Sequence, residues 1–139
     1  MKRARILHTM LRVGDMERSV EFYTKVLGMR VLRTLDQAVD HYSLTFLGYG
    51  EETDTAVLEL TYNYGVSVYE MGSAYGHIAI GVEDCQAACN EVVAKGGDVM
   101  MLPQRLKGSD ETIAFVRDPD GYHIELVEHA DGEWLGESV

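Results

Sequence analysis

His8-Thr-Met-Leu-Arg-Val13 followed by Asp15, and His77-Ile-Ala-Ile-Gly-Val82 followed by Asp84, are one pattern written twice, 69 positions apart. The shift persists through Gly28 onto Gly97 and Phe46 onto Phe115. A gap of three residues then restores the match, setting Val57-Leu58-Glu59-Leu60 against His123-Ile124-Glu125-Leu126. A repeat this long implies two half-domains, each with a histidine and a glutamate at equivalent points. Two imidazoles and two carboxylates related by an internal repeat form a metal-ligand hypothesis.

Working outward, residues 6–13 alternate as a strand, with Leu7, Thr9, Leu11 and Val13 on one face and His8, Met10 and Arg12 on the other. Asp15 is placed to cap a helix over Met16 to Leu27 that Gly28 ends. Strands are predicted near 29–34, 42–49 and 55–62. The second half repeats the order: strand 77–83, helix 84–95 stopped at Gly96-Gly97, and strands near 98–102, 112–117 and 122–128. Asp118-Pro-Asp-Gly121 has turn chemistry at every position.

Each half therefore reads β-α-β-β-β. The fold class is α+β, with two tandem βαβββ modules forming a cupped mixed sheet and a metal cleft on its concave face. The whole chain, 1–139, reads as a single domain: halves at about 5–62 and 75–128, a linker over 63–74 and an acidic tail over 129–139, anchored by Trp134. One helix covers only one face of its sheet, and Leu11, Val13, Leu58, Leu60, Ile78, Ile80, Ile124 and Leu126 claim that side. His8, Glu59, His77 and Glu125 then point to the uncovered face.

With 139 residues the chain is long enough to bury a real core. A formal charge of −11 without a basic cluster argues against nucleic acid. No apolar run approaches the ~20 residues of a membrane span. The basic start, Met1-Lys-Arg-Ala-Arg5, lacks the apolar region of a signal peptide. The expected compartment is the cytoplasm. Cys85 and Cys89, four apart on one helical face, are expected to be reduced, packed thiols.

A lone histidine at a strand start is ordinarily a polar edge residue, and a lone strand glutamate ordinarily faces solvent. Repeated with matching faces, the four read as ligands. The N2O2 set suits Ni, Co, Zn, Fe or Mn, and the lack of thiolates argues against a structural zinc. Two open positions would admit water or a chelating substrate. The reaction class implied is proton transfer next to a carbonyl, through a metal-stabilised enediolate. His123, two residues from Glu125, is a rival ligand, but its repeat equivalent is Val57. His41 and His129 have no symmetric partner and read as surface residues. Arg12 shares a face with His8, and Thr61 and Asn63 share one with Glu59, so an anionic substrate could be gripped there. Lys107 is a second candidate cation.

These residues carry a resemblance. His8-Thr-Met-Leu-Arg-Val-Gly-Asp15, Phe22-Tyr-Thr-Lys-Val-Leu-Gly-Met29, Leu58-Glu-Leu-Thr-Tyr-Asn63, Tyr75-Gly-His77 and Phe115-Val-Arg-Asp-Pro-Asp-Gly-Tyr-His-Ile-Glu125 resemble glyoxalase I (lactoylglutathione lyase) of the vicinal oxygen chelate superfamily, over about residues 5 to 128. The resemblance implies isomerisation of the hemithioacetal of methylglyoxal and glutathione to S-D-lactoylglutathione through an enediolate, detoxifying methylglyoxal. It implies that His8, Glu59, His77 and Glu125 hold the metal and that Glu125 moves the proton, with Glu59 its catalytic counterpart. It makes Arg12 and Asn63 the holders of the γ-glutamyl end, with Thr61 beside them, and sets Lys107 near the glycyl carboxylate.

The short chain and the histidine at position 8 resemble the bacterial form that prefers nickel or cobalt to zinc. Ser73 stands where some relatives have an arginine. Repeat logic permits a site within one chain or between two; the resemblance implies a homodimer sharing its sites. The alternatives are another superfamily enzyme, such as an extradiol dioxygenase or an epimerase, and a small-molecule binding module of the same fold.

Overall fold

The computed structural model describes residues 3–135. Residues 136–139 of the expected acidic tail lie outside the described residues. The chain divides into two compact units, Met1–Glu70 and Met71–Val139.

The first unit contains β1 (His8–Arg12), α1 (Met16–Glu21), β2 (Arg30–Gln37), β3 (Tyr42–Gly48) and β4 (Val57–Asn63). The second contains β5 (Ile78–Gly81), α2 (Cys85–Ala94), β6 (Asp98–Arg105), β7 (Glu111–Arg117) and β8 (His123–His129). Each unit has a four-stranded mixed sheet, ordered β1-β4-β3-β2 and β5-β8-β7-β6. The first strand of each runs parallel to the last, and the other pairings are antiparallel. This is βαβββ twice, an α+β fold, as the repeat implied.

The two sheets keep the same register. Thr9 pairs with Leu58 and Met10 with Glu59; their repeat equivalents Ile78 and Ala79 pair with Ile124 and Glu125. Phe46 lies opposite Glu59, and Phe115 opposite Glu125. Alternation then sorts the faces. Leu11, Val13, Leu58 and Leu60 are buried with Phe22 and Tyr23; Ile80, Ile124 and Leu126 are buried with Cys85, Cys89 and Val92. Burying each such aliphatic side chain contributes about 1.5–3 kcal/mol, which holds the helix on that face and leaves the His and Glu face uncovered.

Helix starts follow their caps: Asp15 accepts the Arg18 N–H and Asp84 the Ala87 N–H, each at 3.0 Å. The helix ends correct the expected alignment. The first helix does not stay α-helical to Leu27 but passes into a π-helical turn over Phe22–Val26, where the Leu27 N–H reaches the Phe22 carbonyl at 3.2 Å. A π-turn absorbs one extra residue. The left-handed helix stop is consequently Gly28 (φ 76°) in the first unit and Gly96 (φ 80°), not Gly97, in the second. Between Met101 and Gln104, β6 has a register shift that β2 lacks. That irregularity cancels the offset and brings Phe46 and Phe115 back into correspondence.

Gly14, between β1 and α1, is required for a different reason. A Cβ there would lie 2.0 Å from the Ser67 carbonyl oxygen, and a backbone atom cannot yield as a side-chain tip can. Gly14→Ala is expected to destabilise the protein by about 3 kcal/mol through this overlap, a loss that urea unfolding would measure.

Cys85 and Cys89 are free thiols, both buried. The Cys85 thiol donates to the Thr112 and Leu126 carbonyls at 3.3 and 3.5 Å, and burial pushes it up to about 11. They pack rather than react. Asp118, also buried, accepts the N–H groups of Asp120 and Tyr122, each at 2.9 Å, and Gly121 completes the turn at φ 95°. Tyr75 donates to the His123 carbonyl at 3.1 Å and meets Tyr122 edge-on. Burial pushes its hydroxyl up to about 12. These contacts tie the segment before His77 to the start of β8.

Candidate metal centre

His8 opens β1, and Glu59 lies on the neighbouring parallel strand one row along. The stagger brings His8 Nε2 within 2.9 Å of Glu59 Oε1. In the second unit, His77 Nε2 is 3.3 Å from Glu125 Oε1. A phenylalanine supports each imidazole edge-on: Phe46 under His8 at 5.4 Å and 83°, Phe115 under His77 at 5.2 Å and 82°. The repeat in sequence is thus a repeat of side-chain geometry, down to ring tilt. The carboxylates are the more sheltered partners, 14% and 18% exposed against 38% and 43% for the imidazoles.

These pairs fit a divalent ion. With bonds of about 2.0–2.2 Å to imidazole nitrogen and carboxylate oxygen, neighbouring donors lie roughly 3 Å apart around an octahedron, as the donor atoms do here. Among the described residues, no group of three or more His, Cys, Asp or Glu side chains is arranged to hold a metal. Each unit carries one imidazole–carboxylate pair. His123, the rival ligand, pairs across the sheet with Arg117 and does not complete a trio with His77 and Glu125.

The two halves differ beyond the pairs. Thr61 donates its hydroxyl to Glu59 Oε2 at 3.1 Å; Val127 occupies the equivalent place in β8, facing Gly81 as Thr61 faces Arg12. Asn63 donates to the Tyr69 hydroxyl at 3.1 Å. Arg12 is exposed on the same face, opposite Thr61 and one row from Glu59. Lys107 is exposed in the turn between β6 and β7, beside a shallow cavity of about 320 Å³ lined by Arg105, Gly108, Ser109 and Asp110.

Sequence reasoning missed Arg33. Its guanidinium lies 3.8 Å over the Phe46 ring and is gripped by Glu52 through bonds of 2.7 and 3.0 Å. That bond raises the Arg33 pKa, with Glu59 adding to the effect, and lowers that of Glu52. Arg33 lies directly opposite Phe46 only because of the bulge after Val31, so simple alternation gave no signal for it. His129 is a second correction. Read as a surface residue, it is only 18% exposed, with Nδ1 at 2.6 Å from Asp131 and Trp134 against its ring. His41 is at the surface, in a hairpin at φ 62°.

Paired βαβββ units, each offering an imidazole and a carboxylate from one sheet face, define the vicinal oxygen chelate class of proteins. Residues 5–126 match the Glyoxalase/Bleomycin resistance protein/Dioxygenase superfamily. The chain is 56% identical to a lactoylglutathione lyase of Escherichia coli O157:H7, over 95% of this chain and 98% of that one. Among solved structures it resembles the trypanothione-dependent glyoxalase I of Leishmania major, with 48% identity, TM-score 0.84, and 96% and 92% of the two chains covered. Glyoxalase I from Zea mays is 42% identical at TM-score 0.87; the chain covers 45% of it, with 91% of its own length. The chain belongs to this superfamily and, within it, to the metal-dependent glyoxalase I (lactoylglutathione lyase) family.

Proposed function

We infer that this protein is a lactoylglutathione lyase, converting the hemithioacetal of methylglyoxal and glutathione into S-D-lactoylglutathione. The observation that carries the reading is the duplicated imidazole–carboxylate pair, at 2.9 and 3.3 Å, in a chain 56% identical to such an enzyme over nearly its whole length. His8, Glu59, His77 and Glu125 would together hold one divalent ion, His8 and Glu59 of one chain with His77 and Glu125 of a second copy. That arrangement makes the working form a homodimer.

When bound, the ion polarises the substrate's oxygens and makes the carbon-bound proton more acidic. Glu125 takes the proton from the carbon bearing sulfur and returns it to the neighbouring carbon. The hydroxyl proton of the first carbon passes to the oxygen of the second, so that the first carbon becomes the thioester carbonyl and the second the secondary alcohol. The isomerisation balances internally and needs no outside oxidant or reductant. Glu59, held by the Thr61 hydroxyl, is suited to staying in place as a ligand. Glu125 has Val127 beside it, which offers no such bond, and is suited to moving. Arg12 and Asn63 receive the γ-glutamyl end, Thr61 borders them, and Lys107 serves the glycyl carboxylate.

Histidine at position 8, in a chain that matches 98% of a bacterial lactoylglutathione lyase, supports nickel or cobalt over zinc. Among the described residues no helix is long and apolar enough to cross a membrane. The compartment proposed is the cytoplasm, where glutathione is present and buried thiols stay reduced. Chelator-stripped protein is expected to regain thioester formation from methylglyoxal and glutathione with Ni²⁺ or Co²⁺ and to regain little with Zn²⁺, followed by thioester absorbance. Full recovery with zinc would overturn the metal preference, and no thioester with any of the three would overturn the reaction.

A further inference from the structure

The halves match at the ligand row and part company at the next one. In the first unit that neighbouring ground holds Arg12 opposite Thr61, with Asn63 two residues on. The same register in the second unit puts Gly81 opposite Val127, with His129 two residues on. Charge and hydroxyl are both gone, and the C-terminal segment has moved in. A Cβ added to Gly81 would lie 3.0 Å from Trp134 Cβ, 3.8 Å from its Cγ and 3.9 Å from Leu135 Cδ2. The indole meets His129 at 5.2 Å and 77°.

The segment is held in that place. The Gly132 N–H donates to the His129 carbonyl at 2.9 Å and the Leu135 N–H to the Gly132 carbonyl at 3.0 Å. Asp131 fixes His129 Nδ1 at 2.6 Å. Trp134 remains 49% exposed, so core filling does not account for it. It lies over the uncovered face of the second sheet, against Gly81, where a Cβ at 3.0 Å would be tighter than an ordinary contact, so the arginine that the first half carries there would have to displace it.

This matters for a site assembled from two equivalent halves. An unsymmetrical substrate would meet two orientations related by the internal repeat, and the second would exchange the roles of Glu59 and Glu125. We propose that Trp134 closes the second half's counterpart of the Arg12, Thr61 and Asn63 anchor, so that the substrate's γ-glutamyl end is received by the first half alone. Discrimination then comes from blocking the wrong mode as well as from building the right one. The inference rests on the function proposed above.

The test is calorimetric binding of S-methylglutathione, a ligand that cannot react, to the metal-loaded protein. Arg12→Ala is expected to weaken it roughly tenfold or more, the loss of a charge-assisted bond. In that background, adding Trp134→Ala with Gly81→Arg rebuilds the anchor on the other half and recovers affinity by about tenfold. A folded triple variant that binds no better than Arg12→Ala overturns the proposal. Trp134→Ala with Gly81→Arg, Arg12 kept, gives a second reading: with an anchor on each half, non-productive binding lowers kcat and KM by a common factor of about two, leaving kcat/KM unchanged. An unchanged kcat, or a changed kcat/KM, overturns the proposal as well. Failure of the unmodified protein to bind S-methylglutathione would instead remove the glutathione reading itself.

Discussion

Replacing Glu125 with glutamine is expected to lower kcat by about a thousandfold, within the range that a positioned general base supplies. The amide keeps an oxygen where the carboxylate has one, 3.3 Å from His77 Nε2, so the shape of the pair is preserved while the proton acceptor is lost. Metal content by elemental analysis separates the two roles proposed for this residue. Retained metal with a collapsed kcat identifies proton transfer as the step lost. Parallel loss of metal and rate would make Glu125 chiefly a ligand and leave the base unidentified. The asymmetry at Thr61 and Val127 sets the expectation, because a carboxylate tethered by a hydroxyl gives up mobility that the other retains.

Mixing two inactive variants is expected to restore activity. One carries His8→Ala with Glu59→Ala, the other His77→Ala with Glu125→Ala. If each metal takes its pairs from two copies, a hybrid dimer has one site with all four ligands and one with none. Random exchange of equal amounts then yields about a quarter of the wild-type rate, since half the dimers are hybrids with one live site each. Each variant alone is dead. If one chain supplies all four ligands, every site in the mixture lacks a pair and activity stays at zero.

Much of this was legible in the residues. The 69-position repeat carried the βαβββ order, and alternation assigned His8, Glu59, His77 and Glu125 to the face opposite Leu11, Leu60, Ile80 and Leu126. The Asp15 cap was readable, because a capping aspartate acts on backbone only three residues away, and Asp84 repeats it in the second unit. Reading failed where a local irregularity shifted the count. Gly28 matches Gly96 and not Gly97 because a π-turn takes up one residue, and no residue type in Phe22–Val26 announces that. Arg33 was missed for the same reason, since its contact with Phe46 depends on a bulge. His129 was misread because its shelter comes from Trp134, five residues further along the chain.

Periodicity and backbone bonds between near neighbours made the duplicated module readable from the chain, together with the candidate residues His8, Glu59, His77 and Glu125 and the sheet face they occupy. Tertiary structure alone decided the separations of 2.9 and 3.3 Å, the tether from Thr61 to Glu59, and the seating of Trp134 on Gly81. Those depend on strand register, bulges and chain return, where a displacement of one residue moves a side chain to the opposite face.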